Sequence, residues 1–319
     1  MKKLILASPR GFCAGVTRAI EIVEKALEVY GPPIYVKHEI VHNHFVVENL
    51  RKKGAIFVEE LEDVPEGAQV IFSAHGVPPK TFDDARVRSL QVTDATCPLV
   101  TKVHKEAARF AKDDYEILLI GHKNHVEAIG TQGVAPEKTT IVENIEDAAK
   151  VQITDPDKLA VLTQTTLSVD DTKEVLDVLK GRFEHLKAPK KSDICYATTN
   201  RQTAIKQICE EVDLVLVVGS RKSSNSNRLR EVAQKRGVNA YLINDESEIE
   251  EKWLEGVDAI GMTAGASTPE WIIESCINRL KELGVQELEE RSVVSENVSF
   301  QLPKNLKDAI EGKKVEASS

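Results

Sequence analysis

No stretch of the 319-residue chain approaches the roughly 18 consecutive apolar residues of a membrane span, so no spanning helix is expected. The opening "MKKLILASPRG" carries two lysines, but its apolar stretch is too short for a secretory signal and stops at Pro9. There is no C-x-x-C pair, which disfavours a zinc ribbon or a thioredoxin-type site. Neither a G-x-x-x-x-G-K-[ST] loop nor a G-x-G-x-x-G fingerprint occurs, so a nucleotide is not the obvious ligand. Positive charge is also short: 42 Lys and Arg face 51 Asp and Glu, for a net charge of −9. A nucleic acid or an anionic membrane is therefore not expected as the main partner, although a local basic pocket is compatible with that balance. A cytoplasmic location follows as the simplest expectation, with the five cysteines reduced or metal-bound.

What is present is an ordinary soluble composition, 41% hydrophobic and 29% charged, in a chain long enough for two or three domains. It repeats in three. Cys13-Ala-Gly-Val-Thr-Arg18 is echoed by Cys97-Pro-Leu-Val-Thr-Lys102 and by Cys195-Tyr-Ala-Thr-Thr-Asn-Arg201, at spacings of 84 and 98 residues. Each cysteine is followed four residues on by Thr, and then by a cation. After each cysteine-led helix comes an apolar strand ending in polar residues: "PIYVKHEIVHN", "EILLIGHKNH", "LVLVVGSRKSSNS". A second strand runs into acids ("AIFVEELEDV", "TTIVENIEDA", "AYLINDESEIEE"), and a third ends in a small polar loop ("AQVIFSAHGV", "KLAVLTQTTLS", "AIGMTAGAST").

Helices are expected over 169–183 and 270–283 among others. Alternating short strands and helices predict an α/β fold with three similar domains of parallel sheet in a pseudo-threefold arrangement. The domains are expected at 14–96, 97–193 and 194–285. Residues 1–13 and 286–319 would be terminal segments packing on them, "NVSFQLP" a closing strand and "EGKKVEASS" disordered. Ligands of parallel sheets gather at the carboxyl ends of strands, so the three strand-end sets and the three cysteines should meet in one central cleft.

Val16, Ile20, Val23, Leu27 and Tyr30 recur at helical spacing and place Cys13 at a helix start, where the dipole favours a thiolate. Cys209 shares a stripe with Ile205 and Val212, and Cys276 with Ile273, Ile277 and Leu280, so both read as core. Three equivalent thiols at one point suit a soft metal. A four-iron cluster with one iron lacking a protein ligand, a three-cysteine zinc site and inert thiols all remain open at this level.

His42, His75 and His125 stand at strand ends, with His44 and His122 close by; three at matching positions, beside "SRKSSNSNR" in the last third, suggest a pocket for an anion. Ser223, Ser224 and Asn225 would lie between a strand and a helix, where backbone N–H groups can hold phosphate oxygens; a polar surface turn is the plainer reading. Glu127, two residues after His125, would be a natural proton donor if buried, with Thr165 and Thr166 to orient it or relay the proton.

Taken together, "PRGFCAGV", "VHN", "SAHG", "DATCPLV", "TQTTLS", "DICYATTNRQ", "SSNSNRL" and "TAGAS" resemble the hydroxymethylbutenyl diphosphate reductase family, over residues 9 to about 269. The resemblance implies a central [4Fe-4S] cluster on Cys13, Cys97 and Cys195, with one open iron. It implies a substrate diphosphate held by His42, His75, His125, Ser223, Ser224, Asn225 and Ser267, and Glu127 as proton source assisted by Thr165 and His125. It further implies two-electron reductive removal of an allylic hydroxyl, giving isopentenyl and dimethylallyl diphosphates as the last step of the non-mevalonate isoprenoid pathway. The electrons would come from a donor such as ferredoxin or flavodoxin. The chain departs from the family pattern at Val126, commonly Pro, which bears on loop rigidity. Two rivals are another three-domain, three-cysteine enzyme such as quinolinate synthase, and a non-enzymatic metal- or redox-sensing module.

Overall fold

The computed structural model describes residues 2–189 and 191–317. Strand β1 (Lys2–Ser8) comes first, followed by α1 (Ala14–Tyr30), β2 (Ile34–Lys37), α2 (His44–Lys52), β3 (Ala55–Val58), β4 (Gln69–Phe72), α3 (Pro79–Val87) and β5 (Gln91–Asp94). The middle of the chain forms α4 (Pro98–Lys112), β6 (Glu116–Ile120), α5 (Val126–Gln132), β7 (Thr139–Val142), α6 (Ile145–Lys150), β8 (Leu159–Thr163) and α7 (Val169–Arg182). The last part forms α8 (Tyr196–Ile208), β9 (Leu214–Val218), α9 (Ser224–Lys235), β10 (Asn239–Ile243), β11 (Ala259–Ala264) and α10 (Glu270–Glu282), then β12 (Val285–Ser292) and α11 (Lys304–Ala317). Among the described residues no helix is long and apolar enough to cross a membrane.

Three parallel-sheet α/β domains result. Their strand orders are β3-β2-β4-β5, β7-β6-β8 and β10-β9-β11-β1-β12. The three repeated strands take the order second, first, third in every sheet, and all nine of them form. The sheets are apolar on both faces because both are covered. Leu118, Ile120, Leu159 and Val161 pack into a cluster with Val175 and Leu179 of α7. Their neighbours Ile117, Leu119, Ala160 and Leu162 pack into another with Val103 and Ala107 of α4. Such strands read as continuous hydrophobic runs, as "LAVLT" and "LVLVV" do. On α1 the buried stripe is Val16, Ala19, Ile22, Val23 and Ala26. Ile20 and Leu27 pack at its edge and Tyr30 is exposed, so the helix is rotated relative to the stripe read from sequence.

The elements that the repeat does not announce connect one sheet to the next. β5 pairs with β4, Lys187 bridges to Ala160 of β8, and β1 pairs with β11. Each occupies the same fourth position, and in each case the next cysteine in the chain is one of the three: Cys97, Cys195 and Cys13 respectively. Of the segment expected only to pack on the domains, Lys2–Ser8 thus forms an interior strand of the last sheet, closing the three units into a ring.

Two features of the tail differ from expectation. "NVSFQLP" is not a strand; the closing strand is the preceding "VQELEERS", a glutamate-rich edge paired only to β1. Charge is tolerated there because the outer side faces solvent. The stretch from Glu311 expected to be disordered is helical through Ala317, within α11, and Ser318 and Ser319 lie outside the described residues. That helix crosses back to the first unit, where Leu306 is fully buried among residues of α1 and β2.

Candidate active site

The cysteine repeat has a backbone cause. Cys13, Cys97 and Cys195 are the residues immediately before α1, α4 and α8. Each amide donates to a carbonyl just beyond the third strand of a sheet: Ala266 at 3.2 Å, Ala74 at 3.0 Å and Thr165 at 3.0 Å. Each carbonyl accepts the first helical bond, from Thr17 (2.9 Å), Thr101 (2.9 Å) and Thr199 (3.0 Å). Those are the threonines that recur four residues after each cysteine.

All three cysteines line one central cavity. Gly15 lets them converge: a Cβ there would lie 2.8 Å from the Cys97 sulfur and 3.8 Å from that of Cys13. Burial pushes the Cys97 thiol up to about 12 and the Cys195 thiol to about 11, with the neighbouring cysteines adding to the effect. A helix start favours an anion by about 0.3–1 kcal/mol. The rise at Cys97 from its ordinary value of 9.0 amounts to roughly 4 kcal/mol, so burial outweighs the dipole there. Deprotonating these thiols calls for a bound cation, and soft sulfur donors with no carboxylate between them fit iron or zinc. Gly15→Ala should therefore displace the Cys97 sulfur and lower anaerobic metal content below that of the unsubstituted protein, read as metal per chain.

His42, His75 and His125, with Ser223, Ser224, Asn225 and Ser267, line the same cavity. His44 and His122 do not. The three histidines are not all equivalent: His42 and His125 follow the first strands β2 and β6, whereas His75 follows the third strand β4. The last unit places Ser223, the cap of α9, where the others carry His42 and His125. The rings of His42 and His75 stack at 4.2 Å, and His125 stands edge-on to His42 at 5.7 Å. His38, which the sequence reading missed, is 5.5 Å from His42, and its Nε2 is buried without a partner. One ring nitrogen from each of His38, His42 and His75 falls within 4.8 Å of the others, a spacing that lets them share one small ion.

The hydrogen bonds behind the rings set their chemistry. Glu127 N–H donates to His125 Nδ1 at 3.2 Å, so a neutral His125 carries its proton on Nε2 and remains a donor. His42 Nδ1 sits 3.3 Å from Glu39, whose carboxyl His42 and Lys222 hold at about 2 against the opposing effect of burial. With Nδ1–H given to that carboxylate, His42 can donate from Nε2 only as imidazolium. The Asn225 side chain is buried, and both its oxygen and its nitrogen are unpartnered. An amide in that state is a place for a ligand.

Glu127 is 3% exposed. Burial raises its carboxyl to about 7, Asp193 adds to the rise, and two hydrogen bonds from Thr165 oppose it. Thr165 N–H donates to Oε1 at 2.6 Å and the Thr165 hydroxyl donates to Oε2 at 3.1 Å. The N–H fixes Oε1 as acceptor, so an acid proton resides on Oε2; the Thr165 hydroxyl donates to Oε2 when the carboxylate is ionised and accepts from Oε2–H when it is protonated. Val126 is the first residue of α5, where an N–H needs no helical partner, so valine and proline serve the helix ladder equally, and His125 and Glu127 still line the cavity.

The family model for the LytB protein matches residues 4–281. The chain is 57% identical over 307 residues to the 4-hydroxy-3-methylbut-2-enyl diphosphate reductase of Protochlamydia amoebophila, covering 96% of this chain and 98% of that protein. It is 54% identical to the reductase of the same name from Actinobacillus succinogenes, with the same coverage. A solved structure of the Plasmodium falciparum E-1-hydroxy-2-methyl-but-2-enyl-4-diphosphate reductase superposes with a TM-score of 0.96 at 46% identity, covering 98% of this chain and 99% of that one. A second solved reductase, described as the terminal enzyme of the non-mevalonate pathway, gives 0.62 at 34% identity, covering 88% and 100%.

Proposed function

The chain belongs to the LytB family, and we propose that it reduces 4-hydroxy-3-methylbut-2-enyl diphosphate in the central cavity, with an iron–sulfur cluster on Cys13, Cys97 and Cys195. It is a reductase of the non-mevalonate isoprenoid pathway. The observation that carries the assignment of the site is that three cysteines, three histidines and a raised carboxyl from three separate units line one cavity. The rival readings, a quinolinate synthase or a sensing module, do not account for family membership across residues 4–281.

A cluster held there with one open iron would supply two electrons, one at a time, and a Lewis acid for the substrate hydroxyl. The chain's own residues do the rest. His42, His75 and His125 with Ser223, Ser224, Asn225 and Ser267 hold the diphosphate, helped by the N-terminus of the 12-residue helix α9. Glu127 gives its Oε2 proton, directly or through Thr165, so that the hydroxyl leaves as water. A second proton goes to either end of the allyl unit, giving isopentenyl or dimethylallyl diphosphate. The balance is two electrons and two protons in, and one water out. A carrier such as ferredoxin or flavodoxin delivers the electrons. The test is turnover of the allylic alcohol diphosphate by anaerobically prepared protein with a chemical one-electron reductant; a metal-replete preparation that forms neither product overturns the proposal.

Diphosphate binding should be coupled to protons. Burial and the neighbouring rings hold His75 well below its ordinary value and His125 at about 3, so both are neutral in the empty cavity at pH 7. A bound polyanion pushes imidazoles the other way, so protons are taken up on binding. Pyrophosphate affinity should therefore fall as pH rises through the anion-bound imidazole range. Calorimetry in two buffers of different ionisation enthalpy reads the uptake directly; zero uptake between pH 5 and 8 would mean that the rings bind as neutral donors. Asn225→Ala should raise KM roughly tenfold to a hundredfold with metal content unchanged, since a lost bond to a charged oxygen is worth about 1.5–3 kcal/mol.

A further inference from the structure

The cation that follows each cysteine in the repeat is not spent on the cavity. Arg18, five residues after Cys13, donates from Nη1 to the carbonyls of Ala95 (3.2 Å) and Thr96 (3.1 Å), the two residues before Cys97. Lys102, five residues after Cys97, donates to the carbonyls of Lys191 (3.2 Å) and Ser192 (3.4 Å) and to Asp193 Oδ1 (3.0 Å), just before Cys195. Arg201, six residues after Cys195, donates from Nη2 to the carbonyls of Gly11 (2.7 Å) and Phe12 (3.4 Å), the two residues before Cys13. Each helix that begins at one cysteine thus grips the loop that delivers the next. The third grip spans 190 residues of sequence and closes the ring.

We propose that Arg18, Lys102 and Arg201 form a cyclic latch that fixes the three sulfurs relative to one another and thereby controls how fast the cluster is lost. The inference rests on the cluster reading above. A guanidinium or ammonium spanning two or three acceptors adds to the few bonds that otherwise tie each loop to its sheet: the cysteine amide bond with, respectively, Gly11 N–H to the Ala264 carbonyl (3.3 Å), Ala95 N–H to the Phe72 carbonyl (2.9 Å) and Thr163 N–H to Asp193 Oδ2 (3.1 Å). Burial makes the grip expensive to break: Arg201 is 0% exposed and Arg18 8%, while Lys102 keeps a side chain 34% exposed. Arg201 is also held from behind by Glu296 at 3.1 Å and by the Ala197 carbonyl at 3.0 Å. The three are positioning residues, and none of them lines the cavity.

The latch makes a directional prediction that a general stabilising role does not. Loss of Arg201 should loosen Cys13, loss of Arg18 should loosen Cys97, and loss of Lys102 should loosen Cys195. Arg201→Met, Arg18→Met and Lys102→Met are compared as anaerobic holoenzymes for iron release to a chelator. Arg182→Met is the control, because Arg182 likewise holds two carbonyls, of Ala148 and Val151, away from the cysteines. Iron release is expected to speed at least tenfold in the Arg201 and Arg18 variants and severalfold in the Lys102 variant, with the control unchanged. Lys102→Arg should restore retention. The metal-free chains are then cross-linked with dibromobimane, which bridges only neighbouring thiols, and the adducts are mapped; the adduct depleted in each variant should contain the cysteine named above. The Lys102 variants keep the test alive if a buried arginine proves indispensable for folding. Release within twofold of the unsubstituted protein in all three variants, or adducts lost without regard to which cation was removed, would overturn the latch. Unsubstituted protein without iron would overturn the cluster reading instead, and the adduct pattern would still decide the latch.

Discussion

Replacing Cys13, Cys97 or Cys195 singly with alanine is expected to abolish cluster retention, and with it turnover, while Cys209→Ala and Cys276→Ala leave both intact. Cys13, Cys97 and Cys195 are half-buried, whereas Cys209 and Cys276 are buried. Their surroundings differ as well. Cys209 packs among Ile205, Ile208 and Val212, and Cys276 among Ile273, Ile277 and Leu280. Removing a sulfur there opens a methyl-sized gap, with a stability loss of roughly 0.5–1.5 kcal/mol. Cys13, Cys97 and Cys195 line the shared cavity, where each would be a third of the protein's hold on the metal. Anaerobically prepared unsubstituted protein should be brown, with about four irons per chain. Each cavity cysteine variant should fall well short of that while keeping its far-ultraviolet circular dichroism. Colourless unsubstituted protein with one zinc per chain would sink this assignment, and the zinc alternative left open by the sequence would take its place.

Glu127→Gln is expected to lower kcat by roughly 10²–10⁴-fold, the range for loss of a general acid, with iron content and KM little changed. The substitution keeps the shape, and the glutamine oxygen can still accept from Thr165 N–H. Only the transferable proton is gone. Because burial places the carboxyl near 7, the unsubstituted enzyme should lose kcat as pH rises through that value, when the acid form is depleted. The glutamine variant should lose that limb of the profile. Thr165→Val removes the hydroxyl that lowers this carboxyl's value and should move the limb to higher pH, whereas Thr165→Ser should restore it. A glutamine variant that turned over at the unsubstituted rate would shift the proton delivery to His125 or a water.

Much of this was legible because the repeat is written in residues whose roles are local. Nine strands could be placed from apolar runs alone, since strands buried on both faces must be continuously apolar whatever they pair with. The threonine after each cysteine is a helix-start feature and recurs with the helices. β5 was not legible: "QVTD" is too short and too polar to stand out, and it becomes a strand because β4 lies beside it. β12 was hidden by its glutamates, which an edge strand tolerates and an interior strand does not. His38 carried a weak signal, four residues before His42, but its approach to His42 and His75 depends on a left-handed backbone (φ 64°) that no side-chain pattern reports. The expected equivalence of the three histidines failed for a similar reason: strand ends look alike in sequence, and only the sheet order separates a first strand from a third.

The sequence by itself determined the chemistry available: three matched thiols, histidines and hydroxyls at strand ends, and one carboxylate among them, in three α/β units. Tertiary structure decided what that chemistry is worth. Glu127 becomes an acid poised near 7 only because α5 buries it against Thr165 with Asp193 nearby, and burial is a property of the packed whole. The cations after the cysteines read as solvated helix residues until the ring closes. Then Arg201 reaches Gly11 and Phe12 across 190 residues, because β1, first in the chain, is an interior strand of the last sheet. Local pattern specifies periodicity and residue type; desolvation and long-range hydrogen bonding arise only between segments the sequence keeps apart.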